Sequence, residues 1–221
     1  MRGRCGGPFF VKGGPVFPPL IRPSGPPSPA RGEGRNYRAD SRARLGDHRP
    51  MPRPARLILD RAPSPLGELL IVTDETGLLR AIDFHDFEPR LRWLARRYYG
   101  DLALETGPAP AAVKAAFARY FAGDLAALAS LDWATNGTPF QQAVWRALGA
   151  IPTGQTITYS ELARRADRPA AIRAAGAANG ANPLSLVVPC HRVIGTHGAL
   201  TGYARAGIER KRWLLTHEGA L

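Results

Sequence analysis

The chain has 221 residues, 44% of them apolar, enough to bury the core of one large domain or two small ones. No apolar run approaches the roughly 20 residues a membrane span needs, and two widely separated cysteines, Cys5 and Cys190, give neither a disulfide framework nor a metal-ligand cluster. The net charge of +12 admits nucleic acid as a partner, but its distribution matters more than its size: residues 1–54 carry +8, residues 55–138 carry −2 and residues 139–221 carry +6. A basic second half is the expected footprint of phosphate contact, although a solvated basic face would give the same charge count.

Residues 1–54 hold 11 Pro and 9 Gly, a composition that cannot bury enough apolar surface to fold, so they read as a disordered tail. Phe9-Phe10-Val11 is too short for the core of a signal peptide. The tail's arginines would add non-specific DNA affinity; as a plain linker it would do nothing, and Met51 reads as an alternative first residue. From Arg56 the pattern becomes regular. Leu57–Leu59, Glu68–Thr73 and Leu78–Phe84 read as strands separated by the turns Pro63–Gly67 and Asp74–Gly77. Arg90–Tyr99 has helical spacing with Leu91, Leu94, Ala95 and Tyr98 on one face, and Pro108–Phe121 is an Ala-rich helix. Residues 55–136 thus form a small α+β unit without a nucleophile or metal set.

Residues 137–221 form a second unit. Thr138 is a good N-cap with Pro139 at the first helical position, and Phe140, Val144, Ala147 and Leu148 make an apolar stripe. Thr158–Ala163 starts a short helix and Pro169–Ala181 a third one, rich in Ala and Gly. Two short helices, a strand and a Gly-rich bend make a winged helix-turn-helix pattern, whose second helix usually meets DNA. Arg173 is the one long cation on that helix, and its other residues are too small to read bases, which points to contact driven by shape. The small residues would also suit close packing against the core.

The apolar run Leu186–Val188 leads through Pro189 to Cys190, His191 and Arg192 and on to Val193-Ile194-Gly195. It reads as a buried strand delivering one thiol, with the neighbouring His191 and Arg192 cations favouring the thiolate. A lone cysteine is as often a small buried hydrophobe.

In order along the chain, Gly137-Thr138-Pro139-Phe140-Gln141, Thr158-Tyr159-Ser160, Arg173-Ala174, Asn182-Pro183, Pro189-Cys190-His191-Arg192-Val193, Gly198–Tyr203 and Lys211–Glu218 resemble the methylated-DNA–protein-cysteine methyltransferases, or O6-alkylguanine-DNA alkyltransferases, of bacterial type. The first half is more loosely similar to their ribonuclease-H-like companion domain. The resemblance implies a cytoplasmic, monomeric, single-turnover DNA-repair enzyme without metal or cofactor. Its substrate would be double-stranded DNA containing O6-alkylguanine, with O4-alkylthymine as a further candidate. It implies that Cys190 takes the alkyl group irreversibly, His191 acts as base through a bridging water and Glu218 orients His191. Tyr159 would donate a proton to the purine ring, and Arg173 would fill the space left by the extruded base. Asn182 would brace the turn between helix and active-site strand, and the backbone carbonyls of Cys190 and Val193 would read the guanine amino group. Tyr203 and Arg192 complete the implied substrate- and DNA-binding set. Ala204 stands where some relatives carry a Ser that contacts the oxygen.

Three rivals weigh less. A non-enzymatic relative that binds alkylated bases lacks the reactive cysteine. A winged-helix regulator has no use for the Pro-Cys-His-Arg segment. A Cys-His hydrolase needs an oxyanion loop, and none is visible.

Overall fold

The computed structural model describes residues 53–201 and 207–221, so residues 1–52 of the tail, Tyr203 and Ala204 lie outside the described residues. The fold is α+β: a four-stranded mixed sheet with helices, followed by a mainly helical second half. Strands β1 (Leu57–Ala62), β2 (Leu69–Asp74) and β3 (Leu79–Phe84) form an antiparallel meander where the turn signals put it. Gly67 and Gly77 take φ of 105° and 85° in the two turns, values that favour glycine. The helices α1 (Glu88–Tyr99) and α2 (Ala111–Phe121) follow, the first burying Leu91, Leu94, Ala95 and Tyr98 as its spacing predicts. Between them, β4 (Leu104–Thr106) pairs in parallel with β1, giving the order β3-β2-β1-β4. Three residues are too few for a periodicity, so this strand leaves no pattern in the sequence.

In the second half α3 (Pro139–Gly149) begins with the expected cap. The Gln141 amide donates to Thr138 Oγ1 at 3.2 Å, and the Thr138 amide donates back to Gln141 Oε1 at 2.9 Å. Such a cap is worth about 1 kcal/mol. The short strand β5 (Ile157–Thr158) leads into α4 (Tyr159–Arg165), capped by Thr158, and α5 (Ile172–Gly180) crosses both earlier helices. The last helix is α6 (Gly207–His217). Among the described residues no helix is long and apolar enough to cross a membrane.

The active-site segment departs from expectation. Leu186–Gly195 is not a strand: Cys190–Arg192 form one turn of 3-10 helix, and only Val193–Ile194 (β6) are extended, pairing in parallel with β5. Burial on all sides produces the same apolar run as a buried strand, and periodicity cannot tell them apart. Leu186, buried, holds a left-handed φ of 73° at the entry to this turn. That conformation is costly for a branched side chain and is maintained by the surrounding packing.

The two halves are joined at this point. Ile82 of β3 donates its amide to Pro183 O at 2.8 Å and accepts from the Ser185 amide at 3.2 Å, so the edge of the sheet holds the turn that follows α5. Helix α5 ends at Gly180, and the carbonyls at and just beyond its end are held by the first half of the chain. Arg90 Nη2 donates to Gly180 O and Asn182 O at 2.8 and 2.9 Å, Tyr98 Oη donates to Ala181 O at 2.9 Å, and Asp83 pairs with Arg90. Carbonyls left over at a helix end need such partners, and here α1 supplies them.

Candidate active site

Four elements converge on Cys190. The turn between α5 and the thiol is braced by Asn182, whose Nδ2 donates to Val188 O at 2.8 Å and whose Oδ1 accepts from the Leu184 amide at 3.0 Å. Asn182 is buried, and its side chain also reaches the thiol. Burial raises the Cys190 thiol above its usual titration range; the Asn182 hydrogen bond and the charges of Arg90 and Lys211 pull the other way without overturning it. The expectation of a thiolate favoured by His191 and Arg192 is therefore corrected. The resting group is a thiol, and the neighbouring guanidinium is engaged elsewhere.

That engagement is with Glu218, which follows the last turn of α6. His191 Nε2 lies 3.0 Å from Glu218 Oε1, and both side chains are fully buried. Arg192 Nε donates to Glu218 Oε2 at 2.7 Å and Arg192 Nη2 to Oε1 at 2.9 Å. Its remaining donors reach Ile151 O at 2.6 Å and Thr153 Oγ1 at 3.1 Å. Arg192, expected on the substrate or DNA side, is 8% exposed and faces inward. A turn of 3-10 helix separates successive side chains by about 120°, which sends Cys190, His191 and Arg192 in three directions. Cys190 and His191 thus point apart as expected, but through this turn and not through strand alternation.

The electrostatics of the pair are consistent with one assignment. A carboxylate only accepts, so Nε2 carries the proton when the ring is neutral. Burial lowers the basicity of His191, with Glu218 opposing, so the imidazole is neutral near pH 7. Burial alone would raise Glu218, but hydrogen bonds from His191 and Arg192 hold it well below the usual carboxylate range. The result is a neutral base beside a fixed anion.

Tyr159 opens α4. Its ring lies against Gly176 of α5, where an added Cβ would sit 3.6 Å from Tyr159 Cδ1. Burial raises the phenol's titration, the Thr201 hydrogen bond lowers it, and Cys190 is close enough to raise it further. A phenol that stays protonated is a donor. The small residues of α5 are divided between a buried and an exposed face. Ala175 and Ala178 are buried and the Ala178 carbonyl accepts from Trp145 Nε1 at 2.9 Å, whereas Arg173, Ala174 and Ala177 are exposed. Arg173 makes no hydrogen bond or ion pair among the described residues.

Val193 is buried, and its carbonyl accepts from Lys211 Nζ at 2.6 Å, while the Cys190 carbonyl accepts the Val193 amide. Lys211 Nζ also donates to Thr201 O at 2.9 Å, and burial brings its titration down to about 8. Lys211, Arg90 and Tyr120 have no role assigned from the sequence. Lys211 stands within the Lys211–Glu218 motif, and the other two carry no local signal. Among the described residues no three His, Cys, Asp or Glu side chains gather into a metal set.

Residues 139–220 match the family model of the 6-O-methylguanine DNA methyltransferase DNA-binding domain. The chain is 51% identical over 168 residues to the methylated-DNA–protein-cysteine methyltransferase of Salmonella typhimurium, covering 75% of this chain and 98% of that one. It is 41% identical over 157 residues to the constitutive enzyme of Bacillus subtilis, covering 71% and 92%. Among solved structures, it is similar to the O6-methylguanine methyltransferase of Mycobacterium tuberculosis with a TM-score of 0.60 and 35% identity, over 75% of this chain and 93% of that one. The OGT of the same organism in complex with DNA is similar at a TM-score of 0.62 and 35% identity, over 74% and 93%.

Proposed function

The chain belongs to the methylated-DNA–protein-cysteine methyltransferases, which repair O6-methylguanine in DNA, and we propose how its own residues divide that reaction. Cys190 is the acceptor. As its sulfur attacks the alkyl carbon, the thiol proton passes through a water to His191 Nδ1, the carbon–O6 bond breaks and its electrons stay on the purine. Tyr159 donates its hydroxyl proton to the ring as that charge develops, and the proton held on His191 then returns through water to the Tyr159 phenolate. The products are an S-alkyl cysteine and an unmodified guanine. Glu218 stabilises the imidazolium while it lasts, the usual role of the third group behind an activated nucleophile.

The observation that carries this reading is the His191–Glu218 pair: a buried, neutral imidazole backed by a fixed carboxylate, next to a thiol that needs a base. Arg173, exposed on α5, acts where the base leaves the stack, and extrusion costs a few kcal/mol. Asn182 and Arg192 position the turn and the carboxylate. Residues 137–221 carry the chemistry and 55–136 serve as companion. In this reading the protein acts as a cytoplasmic monomer on duplex DNA. A thioether is a poor leaving group, which makes transfer irreversible.

The test is intact mass after mixing with duplex carrying one O6-methylguanine. We expect a single methyl-sized gain on the peptide containing Cys190, at most one per protein. Cys190→Ser should bind the duplex and gain nothing. Turnover beyond one equivalent, or a gain on another residue, would refute the assignment.

A further inference from the structure

We propose that Tyr120, a residue of the first half of the chain, is a positioning residue of the transfer reaction that sets the orientation and charge of Glu218 toward His191. This builds on the assignment of His191 as base. Tyr120 lies in the last turn of α2 and is 1% exposed, with its ring edge-on to Phe121 and to His217, both at 5.2 Å between centroids. Phenylalanine would serve that packing equally well. The hydroxyl does something packing does not need: it lies 2.8 Å from Glu218 Oε1, the same oxygen that faces His191 Nε2 and Arg192 Nη2. A carboxylate only accepts, so the direction of the bond is fixed. Burial and the Glu218 charge push the Tyr120 titration far above its usual range, so it remains a donor at any working pH.

Three donors on one oxygen share its charge. Tyr120 stops the carboxylate from rotating and draws density away from the imidazole, which keeps His191 a weak base. The charged groups around the ring come from several elements. Arg192 in its own turn and Lys211 from α6 both disfavour the protonated imidazole, and Glu218 favours it. Cys190 adjoins it in sequence. His217, whose Nε2 is 2.8 Å from Tyr120 O, packs on the tyrosine ring. Tyr120→Phe leaves all of these in place and removes one donor. The charge of Glu218 then falls more fully on His191 and raises its proton affinity.

The experiment uses the full chain. Nuclear magnetic resonance follows the His191 ring through a pH titration in wild type and Tyr120→Phe, and the rate of Cys190 methylation from duplex is measured over the same range. We expect the onset of His191 protonation to move up by about half a pH unit or more, and the acid limb of the rate profile to move with it. Superimposable titrations and rate profiles with a lowered melting temperature would reduce Tyr120 to packing and overturn the proposal. The titration needs no transfer, so it decides this point even if Cys190 proves not to be the acceptor. Should the variant fail to fold, the wild-type Tyr120 hydroxyl proton gives a second reading. It should exchange slowly and shift as His191 titrates, and a hydroxyl proton insensitive to that titration overturns the proposal.

Discussion

Replacing Arg192 by Met separates a buried scaffold from a DNA-binding role. Met keeps most of the aliphatic stem and removes the guanidinium. In the native protein that group gives Glu218 two bonds of 2.7 and 2.9 Å and gives Ile151 O one of 2.6 Å, with the Arg192 side chain 10% exposed and that of Glu218 fully buried. After substitution the buried carboxylate faces only the neutral donors of His191 and Tyr120. Removing one partner of such a pair costs about 3–5 kcal/mol. For a folded part of this size, at roughly 2–4 °C per kcal/mol, the melting temperature should fall by about 6–20 °C. Thermal unfolding measures this directly. The second arm is DNA affinity against salt, below the lowered melting point. Removing a cation that grips a phosphate would reduce the salt slope by about one unit, whereas removing a buried scaffold residue leaves the slope unchanged. A variant with wild-type melting and a reduced slope would show that Arg192 reaches DNA and that the inward geometry is wrong.

Arg173→Ala should slow transfer from saturating duplex roughly ten- to a hundredfold, since extrusion costs a few kcal/mol, and leave transfer from free O6-benzylguanine unchanged; equal slowing on both would return Arg173 to the scaffold. Glu218→Gln should lower stability at neutral pH, and the gap to wild type should close in acid. The native carboxyl titrates below its ordinary value of 4.5, so its contribution is present above that pH and fades as pH falls toward the folded-state value. A gap constant from pH 7 into acid would contradict this. Arg90→Met removes the donors to Gly180 O and Asn182 O and should cost about 1–3 kcal/mol in chemical denaturation; unchanged stability would mean that α5 does not rely on α1 for its end.

What the sequence determined by itself is what depends on neighbours a few positions apart. The Thr138 cap, the apolar stripes of α1 and α3 and the turn glycines Gly67 and Gly77 act over four residues or fewer, and all are where the pattern puts them. The order of short motifs around Cys190 pointed to the family, because the ordered set is specific where no single motif is. The tertiary structure decided the rest. Cys190 sits on a 3-10 turn, and the apolar run of a segment buried on every side cannot distinguish that from a strand. Arg192 turned inward because a carboxylate 26 residues later became its neighbour. Arg90 and Tyr120 joined the site across 92 and 98 residues of chain. Their roles depend on one donor meeting one acceptor at about 2.8 Å, and such a meeting is created by packing two halves together. No spacing within either half encodes it.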